Sequence, residues 1–158
     1  MTSKTGICVD ASCRGNPGPT EYQGVHRYSG EVLFRISVGL GTNNIGEFLA
    51  IVHALAHLKK ENMNASIFSD SQTAINWVKE RGFCSTGLKR SSQSVRTFNL
   101  IERANKWISA NKELVKSAEI IKWDTDKYGE IPADFGRKTK FDWNKWKKGG
   151  RDGKTPQG

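Results

Sequence analysis

Four acidic residues stand where a solvated carboxylate has no obvious reason to be. Asp10 ends the apolar run Ile7, Cys8, Val9. Glu47 follows Thr42, Asn43, Asn44, Ile45 and Gly46 at the opening of a helical pattern. Asp70 closes a second run from Ala65 to Ser69, and Asp134 follows Ile131, Pro132 and Ala133. A carboxylate at the end of a buried strand is costly unless positive charge meets it. Several converging carboxylates suggest a divalent cation, and their hard oxygen ligands suit Mg²⁺ or Mn²⁺. A cation held this way can activate a water and stabilise a leaving oxygen, which is the chemistry of metal-dependent phosphodiester hydrolysis. Each acid also has a local reading. Glu47 suits a capping-box acid behind an Asn44 N-cap, Asp70 a helix N-cap, and Asp134 a solvated helix carboxylate. Asp10 is the hardest to explain locally, because no cation is adjacent in the chain.

The elements that must position these groups follow from periodicity. Residues 4–10 read as a strand, with a Gly/Pro turn from Arg14 to Pro19. Residues 24–29 read as a second strand. Val32, Phe34, Ile36 and Val38 alternate with Leu33, Arg35 and Ser37, the period-2 pattern of a third. Residues 44–59 carry the helical stripe Ile45, Phe48, Leu49, Val52, Leu55, Ala56. Ala65–Ser69 is a fourth strand, followed by a helix from Asp70 through Glu80. Residues 79–94 are polar, glycine-containing and basic, a loop or a shortened insertion. Residues 95–110 form an amphipathic helix, 118–123 a fifth strand, and Pro132 opens a final helix. The order predicts an α/β fold: a five-stranded mixed sheet flanked by helices, with the carboxylates along one sheet edge.

Composition narrows the class. The chain has 158 residues, enough for one domain and one core. The formal charge of +9 favours polyanion partners. Residues 135–158 hold eight Lys/Arg against Asp142 and Asp152, so most of that excess is C-terminal. No stretch approaches the ~20 apolar residues of a membrane span. The N-terminus lacks a signal-peptide apolar region, so a cytoplasmic protein is expected. Cys8, Cys13 and Cys84 show no CxxC spacing, which argues against a disulfide framework or a structural zinc site. His53 and His57 are spaced i, i+4 but lack a third ligand and read as helix-surface histidines; His26 has no evident partner.

Four segments taken in order resemble a known family. They are Val9–Ser12 with Gly15–Gly18, Thr42–Glu47, Ser69–Gln72, and Ala133 with Asp134. Together the chain resembles a type 1 ribonuclease H of the retroviral-integrase-like superfamily, over about residues 5–138. The resemblance implies a domain over 1–138 and cleavage of the RNA strand of RNA–DNA hybrids; residues 139–158, by composition, are expected to form a basic, flexible tail. It casts Asp10, Glu47, Asp70 and Asp134 as catalytic ligands of two Mg²⁺ ions, with Mn²⁺ as substitute. Asn16, Asn43, Asn44 and Gln72 match positions that read the hybrid minor groove, and Thr42 one that holds a DNA-strand phosphate. A monomer without membrane attachment is expected. The chain departs from the pattern in having no histidine between Lys122 and Ile131, where Asp124, Asp126 or Glu130 are the available substitutes. Asp10 is followed by Ala11 rather than glycine, and the loop at 79–94 has only part of the basic, aromatic protrusion of some bacterial relatives. A non-catalytic nucleic-acid-binding module, or another nuclease on the same fold, is the alternative. The tail, with Phe141, Trp143 and Trp146, reads equally as a nucleic-acid grip or as a packed segment, with a disordered end as the third reading.

Overall fold

A computed structural model of the chain describes residues 6–134. Three antiparallel strands lead: β1 (Gly6–Cys13), β2 (Gly18–His26) and β3 (Val32–Gly41). Helix α1 (Asn43–Lys60) follows, then β4 (Ser66–Ser69), and α2 (Gln72–Asn76), which runs into a π-helical turn at Trp77–Arg81. Helices α3 (Val95–Ala110) and α4 (Lys112–Ser117), strand β5 (Ile120–Lys122) and the short α5 (Thr125–Tyr128) complete the order. The sheet order is β3-β2-β1-β4-β5, with β1, β4 and β5 parallel. The mixed five-stranded sheet is the one expected, and β1 is its central strand.

Both faces of the sheet are covered. On one, Ile7 and Val9 of β1 pack with Ile45, Phe48, Ile51 and Leu55 of α1 and with Phe98 and Ile101 of α3. Phe48, Ile51 and Leu55 are fully buried, and truncating such a side chain to alanine costs about 2–5 kcal/mol. On the other face, Cys8 and Val25 meet Phe68, Trp123, Ile131 and Ala133. The segment after β5 thus closes the second face and ends beside β1. Gly46 lets α1 settle this closely: a Cβ there would lie 2.6 Å from Ala11 Cβ and 3.1 Å from Thr20 Cγ2.

Several boundaries differ from the sequence reading. Strand β1 runs past Asp10 to Cys13, because β2 pairs with it as far as Thr20. The second strand therefore begins at Gly18, since the turn is confined to residues 14–17. Bulges in the β2–β3 pairing break the strict alternation of β3, so Val32 packs with the second core while Phe34 and Val38 join the first. The helix expected from 70 through 80 begins at Gln72 and becomes π-helical at Trp77. Helices α4 and α5 are additional. Residues 131–134 form a turn, with the Asp134 N–H donating to Ile131 O at 2.9 Å; a helix beyond Asp134, like the basic tail, lies outside the described residues.

Candidate active site

Asp10, Glu47 and Asp70 come together although 37 and 60 residues separate them from Asp10 in the chain. One carboxylate oxygen from each lies within 4.8 Å of the other two. Asp10 comes from the middle of the central strand, Glu47 from the second turn of α1, and Asp70 from the residue after β4. β1 and β4 are parallel neighbours, so both aspartates emerge toward the same end of the sheet. Asp10 is 6% exposed and Glu47 fully buried. Asp134 is outside this tight triad but close enough for its charge to raise the Asp10 carboxyl.

Glu47 is held from two sides. Its Oε2 accepts from the Ala11 N–H and its Oε1 from the Ser69 hydroxyl, both at 2.9 Å. The helix N-cap is Thr42, whose Oγ1 accepts from the Ile45 N–H at 3.2 Å, not Asn44. Glu47 is therefore no capping-box acid: both its oxygens face the strands. Ser71, not Asp70, caps α2, accepting from the Ala74 N–H at 3.1 Å. Both local readings fail at the same point, because the hydroxyl residues took the caps and left the carboxylates free to converge.

The electrostatics are unfavourable without a cation. Burial pushes Asp10 well above the ordinary carboxyl range, helped by its hydrogen bond to Glu47 and by the charges of Glu47, Asp70 and Asp134. Burial likewise raises Glu47 to about 7, against the lowering effect of the hydrogen bonds from Asp10, Ser69 and Ala11. Asp70 is raised by burial and by Glu130, and lowered by Lys122. Two carboxyls that hydrogen-bond each other must share a proton, and a divalent cation is the ligand that would displace it. The donor set, hard carboxylate oxygens within one coordination sphere, fits Mg²⁺ or Mn²⁺.

The remaining sequence candidates sit in one turn and in the first turns of two helices. Asn16 is exposed in the β1–β2 turn. Asn43 and Asn44 are exposed in the first turn of α1, and Gln72 in the first turn of α2. The Ser71 hydroxyl donates to Asn44 Oδ1 at 3.2 Å, joining the two helix starts. Cys13 Sγ donates to Gly41 O at 3.4 Å, joining the Asn16 turn to the start of α1. Gln72 Nε2 donates to Asn76 Oδ1 at 3.0 Å. Among the substitutes for the missing histidine, Asp124 is engaged as the N-cap of α5 and Asp126 is exposed. Glu130 is the one whose charge reaches the site, at Asp70.

Ser69 was not visible as a site residue in the sequence. Ser69 ties Glu47 to Asp70's strand, and only its place beside Asp70 hinted at this. The histidine readings also change. His53 is half-buried, stacked on Phe34 at 3.9 Å and hydrogen-bonded through Nδ1 to the Tyr22 hydroxyl at 2.8 Å. Burial and His57 lower its pKa. His26 Nδ1 accepts from the Ser29 N–H at 3.2 Å.

Two solved structures share the fold: RNase H1 from Halobacterium salinarum (TM-score 0.50, 20% identity, 82% of this chain and 92% of that one), and the N-terminal RNase H domain of a Mycobacterium tuberculosis protein (TM-score 0.50, 18% identity, 80% and 92%). The RNase H family model matches residues 2–126. The Ribonuclease H of Enterobacter sp. (strain 638) is 36% identical over 112 residues, 66% of this chain and 71% of the relative. That of Citrobacter koseri is 34% identical over the same length and coverage. The chain belongs to the ribonuclease H family.

Proposed function

We propose that this protein is an endonuclease that hydrolyses the RNA strand of RNA–DNA hybrids, using divalent cations held by Asp10, Glu47, Asp70 and Asp134. The observation that carries this reading is the triad of buried Asp10, buried Glu47 and half-buried Asp70, whose oxygens lie within 4.8 Å and whose carboxyls are all raised. Bound there, two Mg²⁺ ions, or Mn²⁺ in their place, supply an activated water and stabilisation of the leaving oxygen.

The protein's own part is positioning. The Ala11 N–H and Ser69 hydroxyl fix both oxygens of Glu47, so its carboxylate needs no reorganisation when charge arrives. Asp10, on the central strand, is near enough to Glu47, Asp70 and Asp134 for each of their charges to raise its carboxyl. Thr42 keeps its hydroxyl proton after capping α1, since a hydroxyl accepts and donates at once. That proton and the α1 N-terminus suit a phosphate of the DNA strand. Asn16, Asn43, Asn44 and Gln72 present short amides that donate and accept in a wide minor groove without reading base identity. Hybrid selectivity then comes from 2′-hydroxyls and shape. Residues 1–138 act as the catalytic domain, and the basic residues 139–158 add phosphate affinity.

In this reading the protein works as a cytoplasmic monomer. No helix among the described residues is long and apolar enough to cross a membrane. A chelator test checks the metal claim. Protein treated with EDTA leaves a labelled hybrid intact, and Mg²⁺ or Mn²⁺ restores cleavage. Full activity in EDTA would overturn it.

A further inference from the structure

Strand β2 places Gln23 directly opposite Asp10 in the antiparallel pairing. Opposed residues project to the same face of a sheet. Here that face also bears Cys8 and Val25, two positions away, which pack against Ile131 and Ala133. Gln23 is 4% exposed, and its Nε2 donates to Ala133 O at 2.8 Å, across 110 residues of chain. The carbonyl it holds belongs to the peptide unit whose nitrogen is that of Asp134. One side chain therefore spans from the partner of Asp10 to the backbone of Asp134.

Two further observations bear on this bond. The segment from Trp123 to Asp134 is fixed at its start by the Trp123 N–H donating to Ser69 O at 2.7 Å. The Trp123 Nε1–Gly129 O and Asp134 N–Ile131 O bonds are internal to the segment and do not tie it to the sheet. Second, Gln23 Oε1 is buried without a hydrogen-bond partner among the described residues. A buried amide with half its capacity unmet is destabilising, and an apolar side chain of similar length would avoid that cost. Packing alone does not account for a glutamine here; the bond to Ala133 does.

We propose that Gln23 is a positioning residue that sets the separation of Asp134 from Asp10, and through it the geometry of the cation site. This rests on the reading that both carboxylates hold catalytic cations. Gln23→Leu and Gln23→Met keep the volume and remove the donor. In metal-free protein, amide hydrogen exchange at Ile131, Ala133 and Asp134 is expected to quicken at least tenfold in both variants. Exchange at Ile51 and Leu55 in α1 is expected to stay unchanged. On a hybrid substrate, kcat is expected to fall at least tenfold with KM within twofold, and half-maximal activity to need more Mg²⁺. The Gln23→Leu, Asp134→Ala double variant is expected to be no slower than Asp134→Ala alone, because the effect passes through Asp134. Unchanged exchange at 131–134 in a folded variant overturns the proposal, as does additive loss in the double variant. If the wild-type protein fails to cleave the hybrid, the activity reading falls by itself, and the exchange result still decides the Gln23 bridge.

Discussion

Replacing Glu47 with glutamine tests whether the site is a strained, cation-seeking cluster. Glu47 is fully buried and raised from 4.5 to about 7, chiefly by burial. A carboxyl raised on folding contributes stability below its unfolded pKa and loses it as pH rises through the folded value. The loss therefore falls between about pH 4.5 and 7, and at pH 8 it amounts to about 3 kcal/mol. Glutamine carries no charge, but it replaces one of the two acceptors facing Ala11 N–H and Ser69 Oγ with a donor. That mismatch costs about 1 kcal/mol. The metal-free Glu47→Gln protein is thus expected to be more stable than wild type at pH 8 by about 2 kcal/mol, or roughly 4–8 °C in Tm. At pH 4.5 the advantage vanishes or reverses. Mg²⁺ should raise the Tm of wild type at pH 8 and do much less for the variant, while hybrid cleavage by the variant falls. Thermal melts at the two pH values, in EDTA and in Mg²⁺, read all of this. A variant no more stable than wild type at pH 8 in EDTA would refute the reasoning.

Asp10→Asn and Asp70→Asn should each lower hybrid cleavage at least about 100-fold with an unchanged circular dichroism spectrum, since each removes charge worth several kcal/mol at a cation site. Gly46→Ala pushes a methyl to within 2.6 Å of Ala11 Cβ; a loss of about 1–3 kcal/mol in a denaturation curve is expected, with a fall in kcat because α1 carries Glu47. Removing residues 139–158, which carry a net +4, should raise KM and flatten the salt dependence of hybrid affinity while kcat stays constant. If Trp143 or Trp146 packs on the domain, the same truncation lowers Tm by several degrees, and an unchanged salt slope removes the phosphate-gripping role.

The fold was largely legible in the sequence because its signals are local. Alternation marked β3, the helical stripe marked α1 and α3, and apolar runs ending in acids marked β1 and β4. What escaped was set by pairing rather than by pattern. β2 extends back to Gly18 only because β1 is there to bond it. α2 turns π-helical at Trp77, where Phe48 of α1 meets the ring edge-on at 6.1 Å, and nothing in the local composition announces that. The three converging acids were legible through their contexts, yet two of those contexts pointed first to caps. Thr42 and Ser71 resolve that ambiguity by taking the caps themselves. Gln23 was invisible, because its importance comes from lying opposite Asp10 and 110 residues from Ala133.

The most direct measurement compares labelled RNA–DNA, RNA–RNA and DNA–DNA duplexes of one sequence, incubated at equal concentration with the protein and Mg²⁺ or Mn²⁺. Cuts confined to the RNA strand of the hybrid, abolished by EDTA and by Asp10→Asn, are the predicted result. Equal cleavage of the DNA–DNA duplex, or hybrid cleavage that survives Asp10→Asn, would contradict it.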